Sequence, residues 1–195
     1  MDDLGSLART FAERDARDPE AYPAENIEDL KAGRVLGAPF PPHLGGLGWD
    51  LAGAVKAVET IAAGSASTAL LLSMPLGLAG IFASGSDWAP AGQQRAWQDQ
   101  VDRVAENYRK GHLYAACNSE KGAGGSLAAT KTVARRAPDG TFQLTGEKIL
   151  ASSGRYAQHF LSTAKVSQED LPGAGIVEFF FVEPAARGVT VLDDW

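Results

Sequence analysis

Leu113-Tyr-Ala-Ala-Cys117 runs directly into Asn118-Ser-Glu-Lys-Gly-Ala-Gly-Gly-Ser126, and the chain changes character at this junction. The first stretch is apolar and short, as a strand requires. In the second, Gly122, Gly124 and Gly125 occupy three of four consecutive positions. Glycine there lets backbone approach a ligand closely and turn its N–H groups toward an electron-rich group. Asn118 and Ser119 add side-chain donors and acceptors. The segment is not a P-loop, because no lysine follows its glycines. Nor is it a dinucleotide fingerprint, because Leu127 stands where a third glycine belongs. A plain glycine-serine hairpin connector fits the same composition.

Upstream of the junction the period is helical. Leu4, Leu7 and Phe11 repeat at helical spacing, with Asp2 and Asp3 suited to the positive end of the helix dipole. Pro23 precedes a short helix with Ile27 and Leu30 inward. Three prolines and four glycines between Gly37 and Gly48 exclude regular helix. Asp50 is the expected N-cap of the next helix, whose apolar stripe is Leu51, Val55, Val58 and Ala62. A further helix is expected over 68–83 with a kink at Pro75. Pro90 is expected to open another, with Trp97, Val101, Val104 and Tyr108 on one face.

Downstream the pattern is β. Strands are expected at Leu113–Cys117, Thr130–Arg135, Lys148–Ser152, His159–Lys165, Ile176–Val182 and Val189–Leu192. Pro138-Asp-Gly140 is a turn signal, with Phe142 and Leu144 alternating after it as in a hairpin. The order predicts an α+β chain: a helical bundle at 1–110, then an antiparallel, barrel-like β-domain at 111–195. The chain stops at Asp193-Asp194-Trp195, which reads as an incomplete sheet.

Among 195 residues, 45% are hydrophobic and the net charge is −6, which argues against a nucleic-acid surface. Cys117 is the single cysteine, and His43, His112 and His159 are too scattered for metal ligation. A reducing cytoplasm is expected. No charged residue occurs from Thr60 to Ser86, yet its glycines, serines and Pro75 favour a buried helix pair over membrane insertion.

A second segment, Gly146-Glu-Lys-Ile-Leu-Ala-Ser-Ser-Gly154, has a polar tip at Ser152 and Ser153. Taken with the first, it resembles the middle domain of the acyl-CoA dehydrogenase family. There a Thr-Glu-Pro-Gly-Ala-Gly-Ser-Asp loop precedes a Gly-x-Lys-x-Trp-Ile-Thr-Asn segment. Pro42-His-Leu-Gly-Gly-Leu-Gly48 resembles that family's turn between early helices. Val177-Glu-Phe-Phe-Phe-Val-Glu-Pro184 and Gly188-Val-Thr-Val191 resemble its late strands.

The resemblance implies FAD as cofactor, an acyl-CoA thioester as substrate and α,β-dehydrogenation as the reaction, in fatty acid metabolism. It places Asn118, Ser119, Gly124, Gly125, Leu150 and Ser152 at the flavin, and Gly125 and Ser126 toward the substrate. Ser119 stands at the loop threonine. Gly125 replaces a serine, leaving only backbone. Leu150 replaces a flavin-facing tryptophan and cannot stack. Ser152 keeps a hydroxyl. The family's base lies in a C-terminal helical bundle without counterpart here, so no catalytic residue is assigned. A homo-oligomer or a separate C-terminal chain, and an electron-acceptor protein, are the implied partners. The departures at Gly125 and Leu150 leave open a flavin-dependent monooxygenase of the same fold, or a chain inactive without its partner.

Overall fold

The computed structural model describes residues 2–85, 89, 91–124, 126–171 and 177–192. Pro90, Gly125, Ile176 and residues 193–195, on which several expectations rest, lie outside them. The chain divides into two units, Met1–His112 and Leu113–Trp195.

The first unit holds α1 (Asp2–Arg17), α2 (Ala24–Ala32), α3 (Leu51–Ala62), α4 (Ala66–Ser84) and α5 (Gln94–Arg109). α1 packs on α3, α3 on α4 and α4 on α5. Asp50 caps α3 by accepting the Gly53 N–H at 2.8 Å. The stripe expected on α3 is wrong: Leu51 is 81% exposed and Val55 59%, while Ala57 and Ile61 are buried. Lys56, Glu59 and Thr60 share one side of α3, and the apolar arc left over is wider than one stripe, so periodicity alone cannot choose which part of it is buried; packing against α1 and α4 selects the Ala57–Ile61 side. The approach is tight. A Cβ on Gly64 would sit 1.9 Å from the Ala8 carbonyl oxygen. Buried polar groups at this junction satisfy one another: Asn26 Nδ2 and Ser65 Oγ both donate to Thr68 Oγ1, at 2.8 and 2.7 Å. α4 stays helical through Pro75, whose carbonyl accepts the Tyr108 hydroxyl at 3.1 Å. α4 is also long and apolar enough to cross a bilayer.

The second unit is one sheet of β1 (Tyr114–Cys117), β2 (Val133–Arg136), β3 (Phe142–Thr145), β4 (His159–Val166) and β5 (Val177–Val182). The α+β class holds, but the sheet is mixed and does not close among the described residues. β2–β3 and β4–β5 are antiparallel, whereas β1 and β2 each run parallel to β4. Parallel partners need a crossover, which the β2–β3 hairpin and the segment after it provide. Two expected strands are absent. Lys148–Ser152 is irregular, because Leu150 and then Ser153 adopt left-handed backbone (φ 57 and 64), which breaks the strand repeat. Val189–Leu192 is also irregular. Ala115, Cys117, Ala157 and Phe160 form one apolar cluster of the unit, and Ala134, Ala164 and Val166 another.

Candidate functional site

β5 pairs with β4 from Val177 to Val182, so it occupies one whole edge of β4. β1 and β2 must therefore share the other edge, end to end. β1 covers His159–Ser162 and β2 covers Lys165–Val166. Together they are a single broken strand, and residues 118–132 are an excursion thrown out from the break. The gap faces Thr163 and Ala164.

Glu120 closes the base of this excursion. The residue is 4% exposed. Oε1 accepts from Thr132 N at 3.0 Å, Thr132 Oγ1 at 2.6 Å and Lys148 Nζ at 2.6 Å. Oε2 accepts from the Lys131 N–H. Lys148 Nζ also donates to Thr163 Oγ1 at 2.9 Å, across the gap. Burial pushes the Glu120 pKa up, but the hydrogen bonds from Lys148, Thr132 and the two backbone N–H groups outweigh it and hold the carboxyl down at about 2. With four donors on it and its pKa held at about 2, Glu120 is an ionised anchor and not a proton acceptor.

The second segment is bound to the first twice: through Lys148, and through the Ile149 N–H donating to the Ser119 carbonyl at 2.9 Å. Gly146 makes this possible. A Cβ there would lie 2.2 Å from Thr132 Oγ1, so only glycine lets the chain pass.

Asn118 and Ser119 are half-buried at the exit of β1, and Asn118 Oδ1 is buried with no donor among the described residues. Such atoms are uncommon and mark a missing partner. Gly124 (φ 59) and Ser126 are exposed farther along the loop. Leu150 is 75% exposed on left-handed backbone, a strained state that clusters at ligand sites. Ser152 is half-buried in the turn before buried Ser153. Gly125 lies outside the described residues. The two segments are thus brought together at Glu120–Lys148 and Ser119–Ile149, while no hydrogen bond among the described residues joins Gly124 or Ser126 to those contacts. Burial raises the Cys117 thiol to about 11, with Lys148 opposing, so it is no thiolate nucleophile. Sequence reading missed Thr132, Lys148 and Thr163. Glycines beside a lone Glu and a lone Lys were the only local signal.

The profile of the acyl-CoA dehydrogenase N-terminal domain matches residues 5–101, and that of the middle domain matches residues 115–195. The chain belongs to the acyl-CoA dehydrogenase family. It is 30% identical to a 3-sulfinopropanoyl-CoA desulfinase of Paraburkholderia xenovorans (strain LB400), over 88% of this chain and 42% of the relative. It is also 30% identical to an L-evernosamine nitrososynthase of Micromonospora sp., over 98% of this chain and 43% of the relative. The chain thus spans less than half the length of these curated relatives. Among solved structures, FMN-bound TdsC from Paenibacillus sp. A11-2 shares the fold at a TM-score of 0.79 and 22% identity, covering 100% of this chain and 46% of that one. A further structure of the fold, KijD3, was solved in complex with FMN and a dTDP-sugar, at a TM-score of 0.78 and 24% identity.

A flavin fits the residues present. The pyrimidine edge of an isoalloxazine carries an N–H, which is what buried Asn118 Oδ1 lacks, and its carbonyl oxygens suit hydroxyl and backbone N–H donors such as those of Ser119 and the glycine loop.

Proposed function

We propose that residues 118–126 and 148–153 form one wall of a flavin site, and that the protein carries out α,β-dehydrogenation of an acyl-CoA thioester with FAD as cofactor. The observation carrying the flavin assignment is the orphaned acceptor on Asn118, held at the root of a loop whose base is clasped. Bound there, a flavin supplies an acceptor for the substrate's β-hydride. Asn118 orients the ring edge; Ser119 and Ser152 donate toward its electron-rich atoms. Glu120 stays ionised beside Lys148, its pKa held at about 2, and takes no proton, so the base for the α-proton comes from elsewhere in the protein. The similarity to a relative named for a CoA thioester supports this substrate class.

A second reading is flavin-dependent monooxygenation. It is favoured by Leu150, an exposed aliphatic side chain where an aromatic ring would stack, and by the 30% identity to a nitrososynthase. The two chemistries separate on the purified full-length protein. Anaerobic bleaching of tightly bound flavin by an acyl-CoA supports dehydrogenation. Bleaching absent, with oxygen-dependent product formed from added reduced flavin, replaces it with the second reading. Ser119→Ala is expected to weaken flavin binding by about 1 kcal/mol; an unchanged affinity and visible spectrum removes Ser119 from the site. Cytoplasmic location, self-association and an electron-acceptor partner belong to the same proposal.

A further inference from the structure

We propose that the buried Glu120–Lys148 pair is the positioning clasp of this site: it locks the two feet of the 118–132 excursion to each other and to the 146–153 segment. The ligand's identity rests on the flavin reading above; the clasp does not.

Glu120 sits on the outgoing foot of the excursion, and Lys131 and Thr132 on the returning foot. The carboxylate joins them by three hydrogen bonds, two to backbone N–H groups and one to the Thr132 hydroxyl. Lys148 brings in the third segment and ties it through Thr163 to the central strand. Beside this junction, the outgoing foot and the 146–153 segment share the Ser119–Ile149 backbone bond. The pair bonds to β4 at Thr163, on the stretch between the registers of β1 and β2. A buried ion pair is a weak source of net stability, because desolvation offsets attraction. What charge-assisted, directional bonds supply is a fixed geometry. Asn118 is two residues from the clasp on one side, and Leu150 two residues from it on the other. Movement at the clasp therefore displaces both. Neither member contacts reacting atoms in this scheme; both are positioning residues.

The test uses the full-length protein and its Lys148→Met, Lys148→Arg and Thr163→Val variants. Amide exchange is followed over 118–132 and 146–153, and FMN and FAD are titrated by fluorescence. Lys148→Met is expected to speed exchange across 118–132, where nothing has been substituted, and to weaken flavin binding about tenfold or more. Lys148→Arg, which keeps charge and donors, recovers most of that affinity. Thr163→Val gives the same pattern in smaller degree, and decides the matter if Lys148→Met does not fold. Faster exchange confined to 146–153, or no change at 118–132 with either variant, overturns the clasp. Flavin affinity within about twofold of the parent, despite faster exchange at 118–132, overturns its role in positioning the site. If the parent binds neither FMN nor FAD, the flavin reading fails, while the exchange comparison still decides the clasp.

Discussion

Acid should loosen this protein through one identifiable carboxylate. Glu120 titrates at about 2 in the fold, against an ordinary value of 4.5. A folded-state pKa below the unfolded one means the unfolded chain binds protons first as pH falls. The stabilisation is thus fully present above pH 4.5 and drains away between 4.5 and about 2. A shift of that size corresponds to roughly 3 kcal/mol, a large part of a small domain's stability. The perturbation is Glu120→Gln, which keeps the shape, removes the charge and leaves the Lys148 ammonium buried without a counter-ion. Urea unfolding of parent and variant should show a gap of about 3 kcal/mol near neutrality. That gap should close as pH descends through the 4.5-to-2 window, since the parent then carries a neutral carboxyl too. Asp139, through hydrogen bonds from Thr141, and Asp170 and Glu106, through hydrogen bonds and nearby arginines, also titrate below their usual range, but all three are common to both proteins, so they cancel. A gap that stays constant from neutral pH to the bottom of the window would refute the reasoning.

Thr68→Val leaves Asn26 Nδ2 and Ser65 Oγ without their buried acceptor and should cost about 1–3 kcal/mol in denaturant unfolding. Gly64→Ala drives a methyl onto the Ala8 carbonyl, so the α1–α3 contact must open; its thermal midpoint should fall by an amount matching at least about 2 kcal/mol. The Cys117 thiol, raised to about 11 by burial, should resist alkylation at mildly alkaline pH and react only on unfolding, as mass spectrometry of trapped adducts will show. Rapid labelling of the folded protein would contradict the burial of β1.

The parts of the fold that could be read from sequence are those decided by neighbours along the chain. Asp50 is an N-cap because its side chain reaches an N–H three residues on. Pro138-Asp-Gly140 turns β2 into β3 because Gly140 adopts φ 86. Readings that needed a distant partner failed. The α3 stripe was misplaced because the apolar arc of that helix is wider than the part its neighbours bury. Lys148–Ser152 resembled a strand because its composition suits one, while its backbone is bent at Leu150 to meet another segment. Of the proposed site, Asn118 and the glycine loop stood out in the sequence by their donors, acceptors and glycines, and the clasp did not.

By itself the sequence determined the order of elements, helices and then strands, together with their caps and turns and the place where a glycine-rich loop leaves the first strand. These depend on residues a few positions apart, whose interactions survive in any tertiary arrangement. Only the folded chain decided that β1 and β2 are one interrupted strand on the edge of β4, and that a glutamate and a lysine far apart in sequence tie the end of the excursion between them to a third segment. Such a pairing depends on which backbone groups the sheet leaves unbonded, a property of the whole sheet that no local stretch of sequence contains.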